Sequence, residues 1–337
     1  MAAATINICD DTAPGITRRQ LKRGWAYHAP DGTRITDRDE IERLNAIGLP
    51  PAYESAWFST DPDAHLLATG IDARGRKQYR YHPGFREARD AVKYEGCARF
   101  GHLLPRLRAR VADDLRKRSL SRERAVAAVV RLLDLGRVRV GNDDYARTNK
   151  SFGATTLRKR HAAIEGQTLK LCFRAKSGKQ RTLVVRDTAL AGFARRCLDL
   201  PDQHLFAWLD DAGEPHPVTS SHVNAYIREA MGEDFTAKHF RTWGASVIAF
   251  EALASAPAPI GLKAVLEPVT DALGNTPAIA RNSYVHPRLI DLAGDKAAQA
   301  LFKAELCLPR ATRYLTRMER GLIALLESDA PEAALAA

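Results

Sequence analysis

Apolar positions change their spacing three times along this chain. From Gly24 to His82 they come in short alternating runs bounded by turns, the signature of strands. Trp25-Ala26-Tyr27-His28 is followed by the turn Asp31-Gly32 and then Arg34-Ile35. Thr36 to Glu40 opens a short helix through Leu44, which Leu49-Pro50-Pro51 breaks. Ser55–Ser59, His65–Gly70 and Gln78–His82 resume the strand pattern. After Phe85 the spacing turns helical: one helix over Arg86–Phe100, a restart at Pro105, and a helix from Arg122 to Leu135 that Gly136 ends. Arg137 to Gly141 reads as a short extended piece.

Alternation returns in Leu169–Arg174 and Arg181–Val185, which pair as strands with Lys176 and Lys179 at the hairpin tip. Beyond them the pattern is helical with Pro and Gly punctuation. Ser220 caps a helix through Met231 and Thr236 caps another, Gly261–Leu273 is helical, and Pro309–Glu327 is the last helix. The fold class is therefore α+β: a small, mixed, mainly-β N-terminal domain and a larger, mostly helical domain carrying a small β-sheet. Residues 1–23 read as a leader with disorder over 1–15, 24–91 as the first domain, 92–328 as the second, and 329–337 as a frayed tail.

Composition narrows the class. With 337 residues, 45% hydrophobic, the chain has the make-up of a soluble globular protein with two cores. No apolar run approaches the length of a membrane span, and the first residues lack the basic and apolar regions of a signal peptide. Five scattered cysteines without a Cys-x-x-Cys pair point to free thiols in a reducing, cytoplasmic compartment. The net charge of +11 is local. Residues 93–160 hold 18 basic and 7 acidic side chains, the whole excess, whereas the two flanks are balanced. Such a block is the footprint of a polyanion, nucleic acid before others, or else a solvated basic helix surface. Asp72–Tyr81 interleaves cations with tyrosines, placing them on opposite strand faces. That suits a nucleic-acid surface, and equally an edge strand guarded by charge.

Familiar chemistries are missing from the sequence: no His-Glu-x-x-His, EF-hand loop, dinucleotide fingerprint, P-loop, Gly-x-Ser-x-Gly elbow or zinc spacing. A set of cations and a tyrosine remains. In Leu273–Tyr284, Gly274 ends one helix, and Thr276 and Pro277 start the next as N-cap and first position. Tyr284 then rides near that helix's far end, able to meet Asn275 at one phosphate. Phosphoryl transfer fits, because it depends on positioning and on stabilising charge at phosphate oxygens. A phenol with a pKa near about 10 needs neighbouring guanidinium groups to become a nucleophile. A lysine ammonium suits protonation of a departing alkoxide.

Arg139 in Arg-Val-Gly, Lys176 in Phe-Arg-Ala-Lys-Ser-Gly-Lys, Arg241 in Lys-His-Phe-Arg-Thr-Trp-Gly, Asn275 in Leu-Gly-Asn-Thr-Pro, and Tyr284 follow in that order. This succession closely resembles the type IB DNA topoisomerases of the poxvirus and bacterial kind, over roughly residues 24–310. The segment from Gly70 to Tyr81 resembles their DNA-clamping domain. The resemblance implies that Tyr284 attacks the scissile phosphodiester, leaving a 3′-phosphotyrosyl enzyme and a free 5′-hydroxyl. It implies that Arg139 and Arg241 bind the non-bridging oxygens and that Lys176 is the general acid. Asn275 stands where the poxvirus enzymes carry a histidine; an amide supports the phosphate but does not titrate. Arg76, Gln78, Tyr79, Tyr81, Tyr145 and Lys238 align with DNA-contacting positions.

The implied partner is duplex DNA, held by a monomeric C-shaped clamp in the nucleoid, with no membrane, ATP, metal or other cofactor involved. A tyrosine site-specific recombinase is the nearest alternative, but that family has histidine three residues before the second arginine, where this chain has Lys238. A non-catalytic basic DNA-binding protein would explain the charge block and leave Tyr284 to chance.

Overall fold

The computed structural model describes residues 6–328, without the side chains of 86–93. The chain divides between Lys93 and Tyr94 into two compact units. In the first, strands β1 (Ile16–Gln20), β2 (Trp25–His28), β3 (Glu54–Phe58), β4 (Leu66–Ile71) and β5 (Lys77–Tyr81) form one antiparallel sheet in the order β2-β1-β3-β4-β5. Helix α1 (Arg38–Ala46), capped by the Asp37 carboxylate, adds Leu44 to a core of Ile16, Tyr27, Leu49, Ala56, Phe58 and Ala68. Arg34-Ile35 forms no strand; Arg34 makes only an isolated bridge to His28.

The expected leader is folded from Asn7 onward. Asn7 N–H donates to Asp63 O at 2.9 Å, Cys9 N–H donates to His65 Nδ1 at 3.1 Å, and β1 lies inside the sheet. Only Ile16 of β1 is buried, so a strand reading Ile-Thr-Arg-Arg-Gln carries too little alternation to announce itself. The expected tail, 329–337, lies outside the described residues.

The second unit is built round α3 (Arg122–Gly136), whose Ala125–Val130 run and Leu132-Leu133 are all buried, as a helix apolar on every side must be. Helix α2 (Pro83–Arg116) crosses the division and runs through Pro105, where the sequence predicts a restart. Proline there removes one hydrogen bond and crowds the carbonyl of residue 101. The turns on both sides stay fixed because Phe100, Leu103, Leu104, Leu107, Val111 and Leu115 are buried in the core. Gly101 faces Trp243, where a Cβ would lie 2.4 Å from the indole.

After α4 (Asp143–Asn149), strands β6 (Ala162–Glu165), β7 (Thr168–Arg174) and β8 (Gln180–Arg186) form an antiparallel sheet with Phe173 opposite Arg181. Leu169, Leu171 and Phe173 alternate into the core. Helix α5 (Thr188–Leu198), the hairpin β9 (Ala207–Leu209) and β10 (Pro215–Pro217), then α6 (Ser220–Met231), α7 (Ala237–Ser255), α8 (Leu262–Leu273), α9 (Pro277–Ser283), α10 (Pro287–Gly294), α11 (Lys296–Glu305) and α12 (Arg317–Glu327) complete the unit. The last helix starts eight residues later than its sequence predicts. Thr316 and Glu319 form a reciprocal capping box that sets its first turn. Glu319 also joins Asp134 in a doubly bidentate pairing with half-buried Arg108, at 2.7–3.0 Å, tying α12 to α2 and α3.

Candidate active site

Four of the five singled-out side chains meet in the second unit. Arg139 is carried past the end of α3, which closes on Arg137 in the left-handed conformation (φ 50°) rather than at Gly136. The piece beyond forms no strand. It is held by Ala154 N–H donating to Arg139 O at 2.8 Å and Thr155 N–H to Val140 O at 2.7 Å. The approach needs Gly153, whose Cβ would sit 2.6 Å from Arg139 O and from Gly141 N. Arg241 lies in the second turn of α7 and is 3% exposed. Asn275 follows Gly274, which closes α8 at φ 65° with its N–H on Thr270 O. Thr276 caps α9, Pro277 occupies its first position, and Tyr284 is its C-terminal cap.

The arginines and the asparagine interlock. Asn275 Oδ1 accepts from Arg139 Nη2 at 3.0 Å and from Arg241 Nη2 at 3.3 Å. Arg241 also donates to Arg137 O at 2.5 Å and Leu273 O at 3.3 Å, and its Cζ lies 4.7 Å from the centre of the Tyr284 ring. Guanidinium groups only donate, so the amide must turn its oxygen to them. That orientation leaves Asn275 Nδ2, like Arg241 Nε, buried without a hydrogen-bond partner. An unmet amide donor beside two guanidinium groups, one of them with its own Nε unmet, suits an oxyanion.

Burial works to raise the Tyr284 pKa, but the charge and hydrogen bonding of Arg241, then the charges of Arg139 and Lys176, outweigh it and leave the phenol below its ordinary value. Lys176 is exposed at the β7–β8 hairpin tip, beside Ser177 in the left-handed conformation (φ 64°), and reaches the tyrosine only through its charge. Among the described residues no three His, Cys, Asp or Glu side chains are placed to hold a metal ion.

Of the other singled-out residues, Tyr145 and Lys238 belong to the second unit with this cluster. Tyr145, on α4, is 50% exposed, and Lys238 is exposed one turn before Arg241. In the first unit Asp72 pins the β5 hairpin: it pairs with Arg76 at 2.7 Å, accepts from Gln78 Nε2 at 3.0 Å, and is held well below the usual carboxylate range by Arg76. Tyr79 and Tyr81 stack with ring centres 6.0 Å apart on one strand face. Lys77 shares that face, its Nζ 5.9 Å from the Tyr79 ring, so cations and aromatics are not fully segregated.

The basic block is likewise not one open face. Arg99, Arg108, Arg110, Arg116, Lys117, Arg122, Arg131 and Arg147 are paired with carboxylates, and Arg124 donates to the carbonyls of Arg118 and Ser119.

Sequence reasoning passed over Arg181. It donates to Leu273 O at 2.9 Å, Ala272 O at 2.6 Å and Gly136 O at 3.0 Å. In sequence it is one more polar position of an alternating strand, with nothing to mark it.

Residues 82–283 match the family model described as eukaryotic DNA topoisomerase I, catalytic core, and residues 24–72 match bacterial DNA topoisomerase IB, N-terminal domain. The chain is similar to the DNA topoisomerase 1B of Acanthamoeba polyphaga mimivirus, 29% identical over 292 residues, 82% of this chain and 87% of that protein. It is also similar to DNA topoisomerase 1B of vaccinia virus strain Copenhagen, 21% identical over 77% of this chain and 84% of that protein. Among solved structures, it is similar to the XerH site-specific recombinase bound to a palindromic difH substrate, 15% identical with a TM-score of 0.39, over 56% of this chain and half of that one.

Proposed function

The chain belongs to the type IB DNA topoisomerases, and from that premise we propose that it relaxes supercoiled duplex DNA by reversible strand transfer to Tyr284. The phenolic oxygen attacks the scissile phosphorus and its proton passes to water. The bond from phosphorus to the 5′-oxygen breaks, and Lys176 supplies the proton that makes the leaving group a 5′-hydroxyl. Arg139 and Arg241 take the non-bridging oxygens, and the unmet Asn275 Nδ2 donates a further hydrogen bond. One phosphodiester is exchanged for another, so the broken strand keeps the energy needed to rejoin it and no nucleotide or metal has a step to perform. The nicked end turns about the intact strand before religation, and supercoils of either sign are removed.

Arg76, Gln78, Tyr79, Tyr81, Tyr145 and Lys238 are proposed as DNA contacts, with the stacked tyrosines packing on sugar and base. We place the enzyme as a monomer acting on nucleoid DNA.

The observation that carries the reading is the Arg139–Asn275–Arg241 interlock closing on the Tyr284 ring. The purified chain is expected to relax negatively and positively supercoiled plasmid in EDTA without ATP, and Tyr284→Phe to bind plasmid without relaxing it. Relaxation by Tyr284→Phe would contradict the reading, as would recombinant products from a two-site substrate.

A further inference from the structure

Arg181 touches, directly or through its own strand, the helix ends that lead to Arg139 and Asn275 and the hairpin that bears Lys176. Its guanidinium reaches the last turn of α3 at Gly136 O and the last turn of α8 at Ala272 O and Leu273 O. Arg139 lies three residues beyond the first of these carbonyls, and Asn275 two residues beyond Leu273. Arg241 bridges the same two helix ends through Arg137 O and Leu273 O, so Leu273 O receives both arginines. Arg181 also stands at the start of β8, on the hairpin whose tip bears Lys176. The close approach of this strand to α3 is built in: a Cβ on Gly136 would lie 2.6 Å from Leu183 Cδ2.

The chemistry of the clamp suits a cation. Carbonyls at a helix C-terminus have no partner within the helix and carry the negative end of its dipole. Two such ends converge on one planar fork, which lysine cannot reproduce. Burial, and after it the charges of Arg241, Arg139 and Arg137, push the Arg181 pKa down to about 10.

We propose that Arg181 is a positioning residue for strand cleavage, one that fastens the ends of α3 and α8 to the Lys176 hairpin and so fixes where Arg139, Arg241 and Asn275 meet a single phosphate. This rests on the cleavage chemistry proposed above. It assigns Arg181 no contact with DNA.

The test uses the full chain with Arg181→Met and Arg181→Lys beside wild type, reading single-turnover cleavage and non-covalent DNA affinity separately. Arg181→Met is expected to cleave about 100-fold more slowly, the scale of a small misplacement of reacting groups, with affinity changed less than about threefold; Arg181→Lys falls between. On DNA with a neutral methylphosphonate at the cleavage site, where the guanidinium groups have less charge to stabilise, the deficit should shrink to under about tenfold.

Arg181→Met cleaving like wild type overturns the proposal, as does an equal deficit on both substrates. Loss of the fold in both variants also overturns it, by making Arg181 a fold determinant. A wild-type chain that forms no covalent adduct overturns instead the functional reading on which the proposal stands.

Discussion

Asn275 shows how much one side chain's orientation decides. Its oxygen is claimed by two guanidinium groups, so its nitrogen is the only end left for a substrate. The residue type was legible in the sequence, and so was its distance from Tyr284. The interlock was not, because Arg139 is 136 residues away in the chain and only the folded α3 and α8 ends bring them together. Lys176 is the opposite case: its hairpin-tip position follows from strand alternation, yet it makes no hydrogen bond to the cluster among the described residues. Its proposed task is therefore best tested by chemistry. Lys176→Ala should slow cleavage of ordinary DNA by about 100-fold or more, the scale of a lost general acid. On DNA whose 5′-bridging oxygen is replaced by sulfur, a leaving group that needs no proton, single-turnover rates should return to within about tenfold of wild type. An undiminished deficit on the sulfur substrate would remove Lys176 from the role of acid.

At the scale of elements, local chemistry and long-range packing divide the outcome. Helix α9 was readable because Gly274, Thr276 and Pro277 each carry their own stop or start signal. The β7–β8 hairpin was readable from its period. Strand β1 and the passage of α2 through Pro105 were not, because the first has one buried residue and the second is held by packing that overrides proline's local preference. The Arg139 segment reads in sequence as a short extended piece, but its seat on residues 153–155 does not show there. Gly153→Ala would push a Cβ against backbone atoms that have no room to yield. Its expected effect is a drop of about 10- to 100-fold in cleavage rate with unchanged DNA affinity and unchanged far-ultraviolet circular dichroism, since the displaced element carries Arg139, proposed above to bind the phosphate. Wild-type cleavage by Gly153→Ala would show that the placement of Arg139 tolerates that shift.

The whole molecule revises the meaning of its charge. Read along the chain, residues 93–160 offer 18 cations to a polyanion. In three dimensions about half are engaged by carboxylates or carbonyls inside the second unit, and Lys159 donates to the carbonyls of Leu198 and Leu200. The two-unit plan was legible from the change of period near residue 85, whereas the fate of each charge was not, because pairing partners such as Glu233 and Glu319 are remote in sequence. Neutralising about six to eight phosphates gives an expected slope of about −5 to −7 for log affinity against log salt. A slope near about −16, which all 18 cations would give, would contradict this account of the surface.

The central claim is covalent: the Tyr284 oxygen, whose pKa Arg241, Arg139 and Lys176 draw below its ordinary value against the opposing effect of burial, holds the broken strand. Incubating the chain with a duplex that loses its 5′-hydroxyl fragment after nicking traps any such intermediate, and mass spectrometry of the digested adduct reads the linked residue. The account predicts a 3′-phosphate on Tyr284 and no adduct from Tyr284→Phe; a DNA phosphate on any other side chain, or an adduct that survives the substitution, would contradict it.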